Sequence, residues 1–238
     1  MNVRFPADAR GALAVVLLAL LAACASSPRV ADDTTRTVTD WPARPASAAG
    51  SAVYRVDPTA SELRVRVAPA GSLARLGHHH VIGGPVWSGE LVLGDPVFAD
   101  VAIDVPALEV DRVAWRRDEG FEPLDDDAIE GTRRNLLGPK VLDAENHPSI
   151  EIRSVAVTGP DWQADVTARV RVRGEVTEWR VPVAVQRDGE RLTIAGALDL
   201  DQTALGLEPF SAAGGALRVA DRMRVRFRIV AERVDSGE

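Results

Sequence analysis

Much of this chain alternates between apolar and charged residues, one by one, and this period of two restricts the fold more than any other feature. In the segment at 63–67, Leu63, Val65 and Val67 are separated by Arg64 and Arg66. Successive side chains of a strand point to opposite faces, so such a segment has one apolar face and one wet face. This is typical of antiparallel sheets. The same alternation recurs at 165–174, 179–185 and 223–230.

Further strands are predicted at 87–93, 97–105, 150–157 and 191–200, with Asp188-Gly189 as a hairpin turn signal. Every strand must hide its apolar face, and open sheet edges invite association with other chains. A closed barrel meets both requirements, and a two-sheet sandwich is the alternative. We therefore expect an all-β fold, an antiparallel barrel of about eight strands, which is wide enough to hold one small ligand.

One segment, 124–148, interrupts the strands with a helical pattern. Its run Asp125 to Asp127 suits an N-cap and first helical turn, and Gly138-Pro139 is a stop signal. At helical spacing, one side carries Ile129, Arg133, Leu136 and Leu137. The sequence thus predicts a short helical insert whose apolar side covers one end of the barrel.

The N-terminus is typical of a targeting signal rather than of a folded domain. Arg4 and Arg10 precede an apolar run at 11–22, which is shorter than the ~20 residues that span a bilayer. The run ends in Leu-Ala-Ala-Cys, which resembles the lipobox of bacterial lipoproteins. That resemblance implies a signal peptide at 1–23, a lipid on Cys24 and a membrane anchor; an ordinary secretory signal is the alternative.

The resemblance places the protein in the bacterial cell envelope, facing the periplasm. Ala25, rather than Asp, follows the cysteine, a pattern that predicts the outer membrane. Residues 24–52 are rich in Ser, Thr, Ala, Pro and Asp without any helix or strand period, and we expect a flexible tether. The barrel domain is expected at 53–233, followed by a C-terminal tail at 234–238.

Composition and motifs exclude several function classes. The 35 Asp and Glu exceed the 28 Lys and Arg, which argues against a nucleic-acid partner. The one cysteine leaves no internal disulfide. We find no Gly-x-Ser-x-Gly elbow, no His-Glu-x-x-His and no P-loop, so no catalytic residue is predicted and the protein is not expected to be an enzyme.

Five stretches carry a resemblance to a known family. They are "YRVDPTASELRVRV" at 54–67, "HPSIEIRS" at 147–154, "VRVRGEVTEWRVPV" at 170–183, "LDQTALGL" at 200–207 and "GGALRVADRMRVRFRI" at 214–229. In number and order they resemble the YceI-like family of periplasmic lipid-binding proteins. The resemblance implies a lipocalin-like barrel with an apolar tunnel that holds a polyisoprenoid, and with a helix near its mouth. It implies no resident cofactor other than a bound isoprenoid lipid or quinone.

The stretch "GHHHVIGG" at 77–84 departs from the family pattern, because histidines replace small polar residues. In a strand, His78 and His80 share one face and His79 has the other. They are interpreted as polar wall residues, as contacts to a ligand head group, or as two metal ligands. A catalytic zinc would need a third protein ligand, and His147 is the one remaining histidine, so no metal site is predicted.

Two groups of residues are the predicted ligand site. The head-group candidates are His78, His80 and Arg133. The wall or lid candidates are Leu76, Ile82, Ile129, Leu136, Leu137, Leu207 and Phe210. In the opposite strand phase, His79 and Val81 would point inward instead. Three function classes stay open: a non-catalytic carrier of a long apolar ligand, a periplasmic metal-binding protein, and a structural barrel lipoprotein without a ligand. The sequence does not indicate an oligomeric state.

Overall fold

The computed structural model describes residues 36–46 and 50–234, which form a 13-stranded antiparallel sheet with two short helices. The strands are β1 (Arg36–Val38), β2 (Ala52–Val56), β3 (Glu62–Ala70), β4 (His80–Gly84), β5 (Trp87–Leu93), β6 (Phe98–Asp104), β7 (Glu109–Val110), β8 (Ser149–Thr158), β9 (Gln163–Val172), β10 (Glu175–Asp188), β11 (Arg191–Asp201), β12 (Ser211–Ala212) and β13 (Leu217–Val234). The helices are α1 (Val113–Asp118) and α2 (Asp126–Leu137). In this part of the chain, no helix has the length and apolar character needed to cross a membrane.

The sheet closes on itself. β13 pairs with β11 along one edge and with both β2 and β3 along the other, so β2 and β3 are two parts of one wall. In the same way β4 continues into β5, and β7 extends the wall of β6. β6, β8, β9, β10 and β11 then pair in turn. The result is the predicted antiparallel barrel of eight walls, in chain order, and not the two-sheet sandwich.

The alternation decides which residues face inward. Leu63, Val65 and Val67 of β3 all face the lumen, whereas Arg64 of the same strand forms outer-face ion pairs. The outer face is built from such pairs, for example Arg180 with Asp165 at 2.7 Å. Exposed ion pairs contribute only ~0–1 kcal/mol each to the free energy of unfolding. The stability of the barrel therefore comes from the apolar inner face.

The two ends of the barrel differ. At one end the connections are short, and the predicted Asp188-Gly189 turn joins β10 to β11 there. At the other end the connections at 71–79, 111–148 and 202–216 are long and carry both helices. We call this second end the mouth.

Helix α2 at the mouth begins and ends where the sequence predicts. The side chain of Asp125 accepts a hydrogen bond from the backbone N–H of Ala128 at 2.7 Å, as an N-cap does, and the helix stops before Gly138. Ile129, Leu136 and Leu137 pack against the core. The shorter helix α1 was not predicted, because its six residues are too few to show a helical period.

Part of the predicted tether, residues 36–46, packs against the barrel. β1 pairs with β10 near the mouth, at positions 176–178. The Trp41 ring then lies 4.0 Å from the guanidinium of Arg171 and 5.3 Å from that of Arg153. The Arg153 side chain also donates to the Pro42 carbonyl at 2.7 Å. Residues 36–46 thus form a strap held by outer-face arginines. The predicted signal peptide, Cys24 and the predicted C-terminal tail after Val234 lie outside the described residues.

Candidate ligand-binding site

The barrel encloses an apolar cavity of about 280 Å³, which we call the lower cavity. All eight walls contribute aliphatic or aromatic side chains to it, among them Val65, Trp87, Val101, Ile152, Val170, Val181, Ile194 and Val225. Gln202 is the one polar residue among those that line it in the described part of the chain. Such a lining favours an apolar molecule, because it offers a polar ligand almost no hydrogen-bonding partner.

A second cavity of about 350 Å³, the vestibule, lies at the mouth. It shares wall residues with the lower cavity, and these are Val67, Ile82, Leu136, Val141 and Gln202. The two spaces therefore adjoin. The vestibule is more polar than the lower cavity, because His78, His80, Thr132, Asn135 and Arg218 also line it.

Most of the predicted ligand residues line one of the two cavities. Leu76, His78, His80 and Phe210 line the vestibule, Leu207 lines the lower cavity, and Ile82 and Leu136 line both. This placement brings the predicted residues of the connection at 71–79 and of β4 together with those of the helix and of the connection at 202–216. Their binding of a ligand stays a prediction.

Three predicted residues line neither cavity: Ile129, Arg133 and Leu137. The Arg133 guanidinium instead donates to the backbone carbonyls of Pro106 at 2.7 Å and Leu108 at 3.3 Å, which holds α2 against the connection after β6. This differs from the head-group position expected of Arg133. The reason is the rotation of the helix, which turns Ala128, Thr132 and Asn135 toward the vestibule.

β4 begins at His80, so Leu76, His78 and His79 precede the strand in which they were predicted, and from His80 onward the strand phase follows the main prediction rather than its alternative. His80 and Ile82 face the cavities, and Val81 is buried on the opposite side. The His79 ring stacks on Phe121 outside the lumen, with 4.7 Å between the ring centroids. Burial, together with Arg66, Arg116 and His80 nearby, holds the pKa of His79 below its ordinary value.

Gly83 allows β4, the strand that carries His80, to lie close to β3. A Cβ atom at this position would lie 1.8 Å from the carbonyl oxygen of Leu63 on β3. Only glycine therefore permits the two strands to approach as they do.

A buried carboxylate, that of Asp111, holds the His80 ring in place through a hydrogen bond. Its Nδ1 lies 2.6 Å from Oδ2 of Asp111, a residue with no exposed surface. The other oxygen of Asp111 accepts from the backbone N–H of Val81 at 2.9 Å and from Nη1 of Arg116 at 2.8 Å. Burial raises the pKa of Asp111, but the hydrogen bonds from His80, Val81 and Arg116 outweigh it, and the pKa lies below its usual value.

These contacts fix the tautomer of His80. An ionised carboxylate only accepts hydrogen bonds, so the imidazole carries its proton on Nδ1. The remaining nitrogen, Nε2, is then the hydrogen-bonding atom that His80 can offer to the vestibule. As a neutral ring it accepts a hydrogen bond, and as an imidazolium it donates one.

Sequence reasoning did not find Asp111, Arg116 or Arg218. Asp111 lies 31 residues from His80, and no motif connects them. One weak signal exists: Asp111 has a φ of 55°, a left-handed conformation that Asp tolerates better than most residues and that marks a turn after β7. Arg218 stands at the start of a strand whose other arginines face outward, so its place at the vestibule could not be separated from theirs.

The histidines do not form a metal-binding cluster within residues 36–46 and 50–234, where no three His, Cys, Asp or Glu side chains are placed to hold an ion together. The rings of His78 and His80 are 6.4 Å apart and edge to face. His147 lies on the connection before β8, 4.0 Å from Asp143, and does not line the vestibule.

Comparison with known proteins supports the resemblance seen in the motifs. The model of the YceI-like domain matches residues 54–231. The structure is similar to that of BcnA from Burkholderia cenocepacia, with 18% identity, a TM-score of 0.56, and coverage of 74% of this chain and 98% of that one. It is also similar to a polyisoprenoid-binding domain from Saccharophagus degradans implicated in plant cell wall breakdown. That match has 15% identity and a TM-score of 0.54, and covers 76% of this chain and 98% of the other.

Comparison with curated proteins gives no match. At these identities the two structures show a shared fold, whereas the domain match extends from β2 into β13 and so includes all eight walls of the barrel. The chain belongs to the YceI-like domain family.

Proposed function

We propose that this protein is a non-catalytic carrier that binds one long apolar molecule, a polyisoprenoid or a related lipid, inside its barrel. The apolar chain occupies the lower cavity and the polar end lies in the vestibule. The observation that carries this proposal is the lower cavity itself, a space of about 280 Å³ with walls that are apolar except at Gln202 and that adjoins the vestibule.

The apolar walls also determine how such a carrier selects its ligand. Aliphatic side chains cannot form hydrogen bonds, so the fit of chain shape and length decides which molecule binds. Each buried CH₂ group contributes ~0.8 kcal/mol before the cost of ordering the chain. The solved domain from Saccharophagus degradans, described as polyisoprenoid-binding, supports this ligand class for the same fold.

The two other function classes have less support. A structural barrel without a ligand would be filled by its own side chains, whereas this one retains a cavity. A metal-binding protein would need more than the pair His78 and His80, and the described residues supply no third ligand beside them.

The carrier proposal is tested on purified mature protein. We expect mass spectrometry of an organic extract to show a co-purified lipid with a long apolar chain. After delipidation, the folded protein should bind prenyl alcohols and isoprenoid quinones in a fluorescence or calorimetric titration. A folded, delipidated protein that binds none of them would contradict the proposal and favour a barrel without a ligand.

We also propose that Cys24 carries a lipid that anchors the protein to the bacterial envelope, facing the periplasm and in the outer membrane. The motive is the Leu-Ala-Ala-Cys sequence directly after the apolar run at 11–22. Two attached acyl chains are enough for stable anchoring, and one is not.

Replacing Cys24 with Ser is expected to abolish incorporation of a fatty-acid probe and to move the protein from the membrane to the soluble fraction. The measurement is metabolic labelling followed by membrane fractionation in a host that processes lipoproteins. Absence of label on the wild-type protein in such a host would overturn the anchor, but it would leave the ligand proposal standing.

A further inference from the structure

The vestibule has a charge pattern that the lower cavity does not share. Among the described residues that line it, none is Asp or Glu, whereas Arg218, His78 and His80 are basic. The polar end of a ligand in the vestibule therefore faces hydrogen-bond donors and a cation, but no carboxylate.

Arg218 is the one residue of this group with a permanent charge. It is exposed and lies at the start of β13, where its backbone pairs with Ser211 and Ala70. Other arginines of the same strand form ion pairs, such as Arg222 with Asp201 and Arg226 with Glu119. Within residues 36–46 and 50–234, no ion pair is found for Arg218, so its charge is available to a molecule in the vestibule.

His80 supplies the second contact. Its Nδ1 is committed to Asp111, and Asp111 is already neutralised by Arg116, which is itself buried. Nε2 can therefore form one hydrogen bond with a ligand, through a single shared proton. A carboxylic acid or a phosphate monoester can share that proton and also bring a negative charge to Arg218, whereas an alcohol can share a proton but brings no charge.

We propose that the vestibule selects apolar molecules with an acidic head group, a carboxylate or a phosphate monoester, which is bound by Nε2 of His80 and the guanidinium of Arg218. This rests on the proposed carrier function and adds its specificity. The apolar chain still supplies most of the affinity, and the head group decides among molecules of equal chain length.

The test compares one C20 chain with three ends: geranylgeranoic acid, geranylgeranyl monophosphate and geranylgeraniol. Each is titrated into the delipidated mature protein at neutral pH and moderate salt. At least one acid is expected to bind about tenfold more tightly than the alcohol, the scale of a charge-assisted hydrogen bond. The two acids tell a carboxylate site from a phosphate site.

Two variants locate the preference. Arg218→Gln removes the cation, and His80→Asn keeps a donor toward Asp111 but removes the atom that faces the vestibule. In each, the preference for the acid is expected to fall to about threefold or less, with little change for the alcohol. Arg228→Gln is the matched control, because it removes an equal charge from the exposed outer face of the same strand, and it should leave all three affinities unchanged.

The results separate the two proposals. Equal binding of all three ligands overturns the acidic head group and leaves the carrier function intact. Binding of none overturns both. An acid preference that survives Arg218→Gln and His80→Asn alike would contradict the assigned residues, and a drop in Arg228→Gln would show a general charge effect instead of a site.

Discussion

Replacing Ala99 with Phe is expected to weaken the binding of long apolar ligands sharply while the barrel stays folded. Ala99 lies on β6 and lines the lower cavity. A phenyl ring added here projects into empty space that the ligand chain would need. Because the space is not filled in the wild type, the new ring displaces few packed atoms, and the stability cost should stay below the ~1–3 kcal/mol typical of overpacked cores. Affinity should fall at least tenfold.

The matched control is Ala102→Phe on the same strand. Ala102 faces outward, where its neighbours across the sheet are Ser88 and Glu151. The same ring placed there leaves the lower cavity unchanged, so affinity should equal that of the wild type. Circular dichroism and thermal melting of both variants are the measurements that check whether each is folded. If Ala99→Phe binds as tightly as Ala102→Phe, the ligand does not occupy the lower cavity.

The walls of this cavity could be predicted from the sequence because they depend on local rules. A strand exposes alternate side chains to one face, so the positions of Val166, Ala168, Val170 and Val172 on β9 are enough to place them in the lumen. Closure into a barrel follows from the need to pair every edge. The bounds of α2 follow from its cap and its stop signal, which are local as well.

The polar part of the site depends on contacts between distant segments, and no local rule supplies these. His80 and Asp111 meet because β4 and β7 pair, and β7 is only two residues long. Arg133 is predicted as a head-group contact because it lies on the predicted helix near the mouth, whereas the rotation of that helix is set by packing on the barrel. The strap is a similar case, since Trp41 is positioned by arginines of two other strands.

Replacing Asp111 with Asn is expected to lower the free energy of unfolding by about 3 kcal/mol, the cost of leaving a buried charge without its partner. The charge that remains is Arg116, which is 3% exposed. Two backbone carbonyls, those of His79 and Glu122, also accept from it and reduce the penalty. Asn keeps the size of Asp and tolerates its left-handed backbone, so the change reports the carboxylate charge rather than backbone strain.

The contribution of Asp111 to the free energy of unfolding should decrease as the pH falls. Its folded pKa lies below the ordinary 3.8, so the carboxylate stabilises the fold fully above that value, and the contribution is lost as the pH falls through the lowered pKa. Urea unfolding at pH 7 and at successive values below 4 should show the wild type approaching Asp111→Asn in acid. Asp165→Asn is the control, since its ion pair with Arg180 is exposed and its loss should cost no more than ~1 kcal/mol. If Asp111→Asn is as stable as Asp165→Asn at pH 7, the carboxylate is not the element that holds Arg116 and His80 in place.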